Sequence, residues 1–292
     1  MKDAALPPVY AGEAIEWAAA RFARARLSYG HGTDNPADEA AALVFHAAGW
    51  PHASAPAAYR RALPAAARAA LARLVARRIR ERIPAAYLTG VTWFAGHEIH
   101  VDTRVLVPRS PIAELIEGRF APFVRDARVR TILDIGTGSG CIAIACAHAF
   151  PAAEVDAVDL SPAALEVAAD NVRRHGLGER VRLIRSDVYA GVGERRYDII
   201  VSNPPYVPEA VVATLPAEYR HEPALGLAAG GDGLDVVRTI LAGRHRHVQP
   251  GGILVVEVGD SAPAVAAAWP ELPFLWLEFE RGGGGVFLLA TE

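Results

Sequence analysis

From residue 130 onward this 292-residue chain alternates short apolar segments with turns and helix-length stretches, and that alternation constrains the fold more than any other feature. The apolar segments are Arg130 to Ile135, Glu154 to Asp159, Val181 to Arg185, Asp198 to Ser202 and Ile253 to Val258. Parallel strands need a crossover to reach their neighbours, so strands separated by helices predict a mainly parallel sheet with helices on both faces. The stretch after the second strand is well punctuated: Ser161 suits an N-cap, Pro162 a first turn, and Gly176 the position past the end. Asp159 is thereby expected at the carboxyl end of a strand, the edge along which open α/β sheets bind ligands. Phe274 to Phe279 and Gly285 to Leu289, joined by Arg281 and a glycine run, suit an antiparallel pair at the sheet edge.

Composition excludes several classes. Hydrophobic residues make up 52% and charged residues 22%, which rules out a disordered or collagen-like chain and allows one large or two modest cores. The net charge of −3 excludes a protein that is basic throughout, so a nucleic-acid partner would have to meet a local patch. Lys2 is the only lysine, so the arginine and alanine load reflects genome bias before it reflects function. Cys141 and Cys146 form neither a CxxC pair nor a disulfide framework and read as small packing residues in a reducing compartment. Met1 to Tyr10 carries Lys2 and Asp3 among prolines, without the basic start and apolar core of a signal peptide. No apolar run reaches the roughly 18 residues of a membrane span. The expectation is a soluble cytoplasmic protein with no membrane contact.

Ahead of the alternating region the pattern is helical. Ile15, Ala18, Ala19 and Phe22 recur at helical spacing, Asp38 to Ala48 follows Pro36 and stops at Gly49, and a third helix is expected from Pro64 to Arg82, ended by Pro84. Between Val91 and Val107 the residues become strand-like around a Gly96-His97 turn, with Trp93, Phe94, Ile99 and Val101 before Val105-Leu106-Val107. The predicted organisation is a helical domain over 1–86, a β-hairpin linker over 87–108 and an α/β domain over 109–292.

Four motifs carry the chemistry. Leu133-Asp134-Ile135-Gly136-Thr137-Gly138-Ser139-Gly140 runs from a strand through a glycine turn into the helix Cys141 to Ala149. The turn admits a ligand close to the backbone, but the third glycine comes one residue early for a dinucleotide fingerprint. Asp134 would repel a pyrophosphate and attract a cationic ligand, and S-adenosylmethionine has a sulfonium, an ammonium group and no phosphate. Asp159, followed by Leu160, lies about twenty residues beyond the glycine turn, where a carboxylate accepts ribose hydroxyls. Ser186-Asp187-Val188 follows the third strand, with Asp187 suited to an adenine amino group. Each carboxylate alone is more simply a loop residue or cap, and it is their joint order at strand ends that favours a cofactor.

The fourth motif is Asp198 to Tyr206, ending Asn203-Pro204-Pro205-Tyr206. Alone it reads as a rigid strand exit with a packed tyrosine. Behind a cofactor loop it suits methylation of a planar amino group, whose delocalised lone pair makes it a poor nucleophile. The Asn203 side-chain oxygen and the Pro204 carbonyl supply acceptors for its two N–H groups, which matter most as the nitrogen becomes tetrahedral. Pro205 keeps Pro204 extended, and Tyr206 stacks on the target.

On these residues the chain resembles the HemK-like protein-glutamine N5-methyltransferases, whose pattern is a helical N-terminal domain, a hairpin, and a catalytic domain with D-x-G-x-G-S-G and N-P-P-Y. Phe94 to Glu98, Val105 to Ile112 with Pro108-Arg109-Ser110-Pro111, Glu218 to Pro223, and Trp276 to Phe279 are similar to the PrmB-type branch, which acts on large-subunit ribosomal protein uL3. The release-factor branch carries a Thr-Glu pair where this chain has Ser110-Pro111. The resemblance implies a Rossmann-like methyltransferase domain over 109–292 and an N-terminal domain that recognises substrate. It implies S-adenosyl-L-methionine at Asp134, Gly136, Thr137, Gly138, Gly140, Asp159, Leu160, Asp187, Val188 and Asn203, and catalysis by Asn203, Pro204, Pro205 and Tyr206. The implied partner is uL3, free or in an assembling large subunit.

Three rivals remain: a release-factor glutamine methyltransferase, a nucleic-acid amino-methyltransferase that flips a base against Tyr206, and a non-catalytic assembly factor. No separate basic recognition domain supports the second, and the intact Asn203 and Tyr206 argue against the third. Eight arginines from Arg60 to Arg82 suit either local contact with ribosomal RNA or a solvated helix face. His245 and His247 have no third ligand in view and read as surface histidines, so no metal is expected.

Overall fold

The computed structural model describes residues 6–51 and 57–291, so the first five residues of the stretch Met1 to Tyr10, with Lys2 and Asp3, lie outside them. The chain divides into two compact units, one of residues 1–91 with 216–221 and one of residues 92–215 with 222–292.

The first unit contains α1 (Ala11–Ala25), α2 (Pro36–Ala48), α3 (Ala65–Glu81) and the short α4 (Ala85–Thr89). Asn35 caps α2 by accepting the Ala37 and Asp38 amides, and Gly49 ends it in the left-handed region. Phe22, Leu43, Phe45, Leu71 and Val75 pack into one apolar core. The third helix ends at Arg82, which turns left-handed, and Pro84 opens α4 rather than closing α3. The arginine-rich stretch is only partly a solvated face. Arg78 is fully buried: its Nε donates to Glu39 Oε1 at 2.6 Å, its Nη1 to Glu218 Oε1 at 3.1 Å and its Nη2 to the Ser28 carbonyl at 2.8 Å. Glu39 Oε1 also accepts the Ala85 amide, and Glu218 Oε1 the Ser28 amide.

The second unit opens with the hairpin β1 (Val91–Phe94) and β2 (His97–His100), whose first residue alone belongs to the other unit. Its turn is Ala95-Gly96, one residue earlier than expected, because both carry the positive φ of a two-residue hairpin turn. Val105-Leu106-Val107 is not a strand, although Val105 and Val107 are buried. The order then runs α5 (Ile112–Glu117), β3 (Thr131–Ile135), α6 (Cys141–Ala149), β4 (Glu154–Asp159), α7 (Pro162–Arg174), β5 (Val181–Arg185) and β6 (Tyr197–Ser202). It finishes with α8 (Glu209–Val212), α9 (Asp235–His247), β7 (Val248–Glu257), α10 (Ala262–Ala268), β8 (Leu275–Leu277) and β9 (Val286–Ala290).

The seven strands β3 to β9 form one sheet in the order β5-β4-β3-β6-β7-β9-β8. The first five pair in parallel, and β9 and β8 add an antiparallel edge as expected. Strand order reverses between β3 and β6, which sets a crevice at their carboxyl ends. Residues 142–147 of α6 are all buried, while Val237, Ile240 and Leu241 of α9 join β6 and β7 in the main core. Both cysteines are free, and burial pushes their thiols up, consistent with packing roles on α6. His247 is not a surface histidine: it is buried, stacks on Tyr189 at 4.3 Å, and its Nδ1 lies 2.9 Å from the Arg195 carbonyl. His245 is exposed. Among the described residues no helix is long and apolar enough to cross a membrane.

Candidate active site

The carboxyl ends of β5, β4, β3 and β6 lie side by side, so Asp187, Asp159, the glycine turn and Asn203 line one edge in that order. Hydrogen bonds join the loops. The Gly136 and Thr137 amides both donate to the Val158 carbonyl at 2.9 Å, the Gly138 amide donates to Asp159 Oδ2 at 2.9 Å, and the Ser186 amide donates to the Asp159 carbonyl at 3.0 Å. Asp159 Oδ1 accepts the Ser161 amide at 2.8 Å, opening the turn into α7. A carboxylate has about four acceptor positions, so both oxygens keep capacity for a ligand hydroxyl. Asp187 is exposed, whereas Val188 is buried with positive φ and Leu160 is 48% exposed beside Asp159.

Gly140 sits at φ +82, and a Cβ there would meet Ala168 Cβ at 3.3 Å, so this glycine lets the start of α6 approach α7. It has no side chain to cap α6, and Asp134 performs that task from the strand. Fully buried, Asp134 accepts from Thr137 Oγ1 at 2.6 Å and from the Ala143 amide at 3.1 Å through Oδ2. Its Oδ1 is buried without a hydrogen-bond partner. Burial pushes the carboxyl up to about 7, with the hydrogen bonds from Thr137 and Ala143 opposing. An orphaned acidic oxygen beside a glycine turn fits a ligand that brings positive charge, which is what S-adenosylmethionine offers and a pyrophosphate does not.

The glycine turn and the Asn-Pro-Pro-Tyr segment are in immediate proximity: a Cβ on Gly136 would lie 3.9 Å from the Asn203 carbonyl oxygen. Ser202 Oγ donates to the Ile135 carbonyl at 2.8 Å, tying β6 to β3 beneath them. Asn203 Nδ2 donates to the Arg109 carbonyl at 3.4 Å, which orients the amide and leaves Oδ1 with no protein donor among the described residues. The Pro204 carbonyl also accepts none there. Tyr206 is held at its hydroxyl, which donates to Glu257 Oε1 at 3.2 Å, at its ring by Gly259, where a Cβ would come within 2.8 Å, and at its carbonyl by Ser261 Oγ at 2.9 Å. Burial pushes the phenol up, so it remains neutral.

Two carboxylates hold this segment: sequence reading missed Glu257, and it singled out Glu222 beside the Arg109-Ser110 loop without assigning it a role. Glu257, at the end of β7, accepts from both Ser110 Oγ and Tyr206, and burial pushes it up to about 7. Glu222, whose side chain is buried, takes the Arg109 guanidinium in a two-pronged ion pair at 2.6 and 2.7 Å and also accepts the Val107 amide at 3.2 Å. It thus fixes the backbone whose Arg109 carbonyl orients Asn203. The available signal for Glu257 was an acid interrupting the otherwise apolar run Ile253 to Val258.

Comparison with known proteins agrees with this geometry. Residues 120–231 match the Methyltransferase small domain family and residues 13–90 the PrmC N-terminal domain family. The chain is 48% identical over 280 residues to the ribosomal protein uL3 glutamine methyltransferase of Bordetella pertussis, covering 95% of this chain and 94% of that protein. The protein of the same name from Neisseria meningitidis serogroup B is also 48% identical over 280 residues, covering 95% of this chain and 92% of its own. Among solved structures, the hMettl16 catalytic domain in complex with the MAT2A 3'UTR hairpin 6 shares the fold at a TM-score of 0.51 and 17% identity, over 76% of this chain and 81% of that one. Fold and identity across nearly the whole length agree, and the chain belongs to the ribosomal protein uL3 glutamine methyltransferase family.

Proposed function

We propose that this chain transfers the methyl group of S-adenosylmethionine to the side-chain nitrogen N5 of a glutamine in ribosomal protein uL3. The observation that carries the reading is the pair of acceptors leaving β6, Asn203 Oδ1 and the Pro204 carbonyl, both without protein donors among the described residues. Two such acceptors fit the two N–H groups of a primary amide. They bind more strongly as the nitrogen gains positive charge and becomes tetrahedral, so they stabilise the transition state over the ground state. Tyr206 covers the planar amide and excludes water, while Glu257 and Gly259 hold its ring in one orientation. Pro205 keeps the Pro204 carbonyl extended. The nitrogen would gain the methyl as the carbon–sulfur bond breaks, the thioether S-adenosylhomocysteine would leave as the neutral product, and the proton displaced from nitrogen would pass to solvent.

The bound cofactor supplies an electrophilic methyl on sulfur. Gly136, Thr137, Gly138 and Gly140 give it backbone access, Asp134 meets its positive charge, and Asn203 borders it. Asp159 receives the ribose hydroxyls, Asp187 the adenine amino group, and Leu160 and Val188 flank the base. Holding nitrogen and methyl in line supplies much of the rate. The N-terminal helices recognise uL3, in the cytoplasm, and any contact with ribosomal RNA uses the exposed Arg60, Arg73 and Arg80 rather than buried Arg78.

Peptide mass mapping of uL3 after incubation with enzyme and S-adenosylmethionine tests the reading, beside release factor and nucleic acid. One added methyl on a single uL3 glutamine is the expected result. Label on release factor would leave the fold and mechanism standing and remove uL3 as target, and label on nucleic acid would remove glutamine as the acceptor.

A further inference from the structure

Three histidines that the reaction does not use converge from separate elements of the second unit. His97 opens β2, His148 lies in the last turn of α6, and His175 caps the end of α7. One ring nitrogen of each lies within 4.8 Å of the other two. His148 Nε2 and His175 Nδ1 are 3.4 Å apart. Nitrogens bound to one tetrahedral ion at about 2.0–2.1 Å are about 3.3 Å from each other, so this pair already has the spacing of a chelate.

The orientation of His175 adds to the case. Its Nε2 is 2.8 Å from the Glu98 carbonyl, and a carbonyl only accepts. That nitrogen therefore holds the proton, and the lone pair of Nδ1 faces His148. A backbone carbonyl on the far nitrogen is the usual support of a metal-bound imidazole. The His97 ring stacks on His148 at 4.4 Å and 16°, and stands edge-on to His175 at 5.8 Å and 87°, so ligation requires His97 to turn out of the stack until its in-plane lone pair meets those of the other two. Buried Asn171 fixes the frame: it exchanges hydrogen bonds with the His100 backbone at 2.8 Å and donates to the Ser139 carbonyl at 2.9 Å, tying the hairpin and the glycine turn to α7. His148 is exposed, so one side of the cluster stays open to water or a fourth ligand.

We infer that His97, His148 and His175 form a binding site for one divalent transition-metal ion of the zinc class, which clips the hairpin to α6 and α7. A set of imidazoles without oxygen ligands selects zinc, nickel or copper over magnesium and calcium. The ion stands apart from methyl transfer and acts on the local structure.

The test uses tag-free, chelator-stripped full-length protein titrated with Zn²⁺ and, separately, with Co²⁺. Expected are one bound equivalent, the visible absorption of a tetrahedral cobalt site, a higher melting temperature on loading, and no displacement by excess Mg²⁺. His148→Ala and His97→Asn, each first shown by circular dichroism to be folded, should lower affinity on the order of a hundredfold or more. His245→Ala should leave it unchanged. No uptake by the wild type, uptake undiminished in both cluster variants, or uptake lost in His245→Ala would overturn the assignment.

Discussion

Asn203 is held by one weak bond to the Arg109 carbonyl, and its value lies in the oxygen that bond leaves free. Asn203→Ala should leave S-adenosylmethionine affinity nearly unchanged by calorimetry while lowering single-turnover methyl transfer by about 10²–10³, the usual cost of one oriented transition-state partner. Glu257 predicts a pH effect. Its carboxylate form accepts from both Ser110 and Tyr206, and burial pushes the group up to about 7, so turnover should rise as pH is raised through that value. Glu257→Gln should flatten this limb. Stability runs the other way, because native Asp134 and Glu257 titrate above their unfolded values of 3.8 and 4.5. The native state then holds more protons, so their contribution to stability is full below the unfolded values and lost as pH rises through about 7. In the free protein, Asp134→Asn and Glu257→Gln should therefore gain melting temperature relative to wild type between about pH 5 and about pH 8. The placement of Asn203, Tyr206, the three aspartates and the glycine turn could be read from sequence because each lies in, or within a few residues after, the carboxyl end of one strand. Glu257 and Glu222 could not, since Ser110 and Arg109 reach them across 147 and 113 residues.

Elements were legible where punctuation and period agreed. The α7 boundaries follow from Ser161, Pro162 and Gly176, and β4 and β5 from their apolar runs. Helices α4, α8 and α10 span four to seven residues, too few for a 3.6-residue period to declare itself. The longer α9 carries its apolar positions ahead of the run Arg244 to His247, which masks its amphipathic face. Strand β7 begins at Val248, earlier than its apolar run, because it extends back through Pro250-Gly251-Gly252 opposite a register shift in β6. At this scale the α6 start is the sensitive point. Gly140→Ala would force a side chain into φ +82 and against Ala168, so it should cost about 1–2 kcal/mol in urea unfolding and weaken cofactor binding by displacing the glycine turn.

Across the whole chain, the buried Arg78 group is the least local feature, since Glu39 and Glu218 lie far from it and from each other in sequence. Nothing in the arginine-rich texture of α3 marks that one residue as internal. Arg78→Met should destabilise the first unit by about 3–5 kcal/mol, because it leaves buried Glu39 without its counter-charge and buried Glu218 with only the longer contact to Arg82 at 3.5 Å. Tryptophan fluorescence during urea unfolding would measure it, as Trp17 and Trp50 both pack on that unit's core. Glu218 reaches Arg78 because Pro216–His221 is counted with the first unit although its flanking residues belong to the second. The backbone therefore passes between the units at three points, after residues 91, 215 and 221. A gene fusion that exchanged everything before residue 92 would deliver foreign helices to a resident Glu218 that pairs with Arg78. The helical part is therefore not a cassette: two separate stretches of the gene encode it, and both must be moved together.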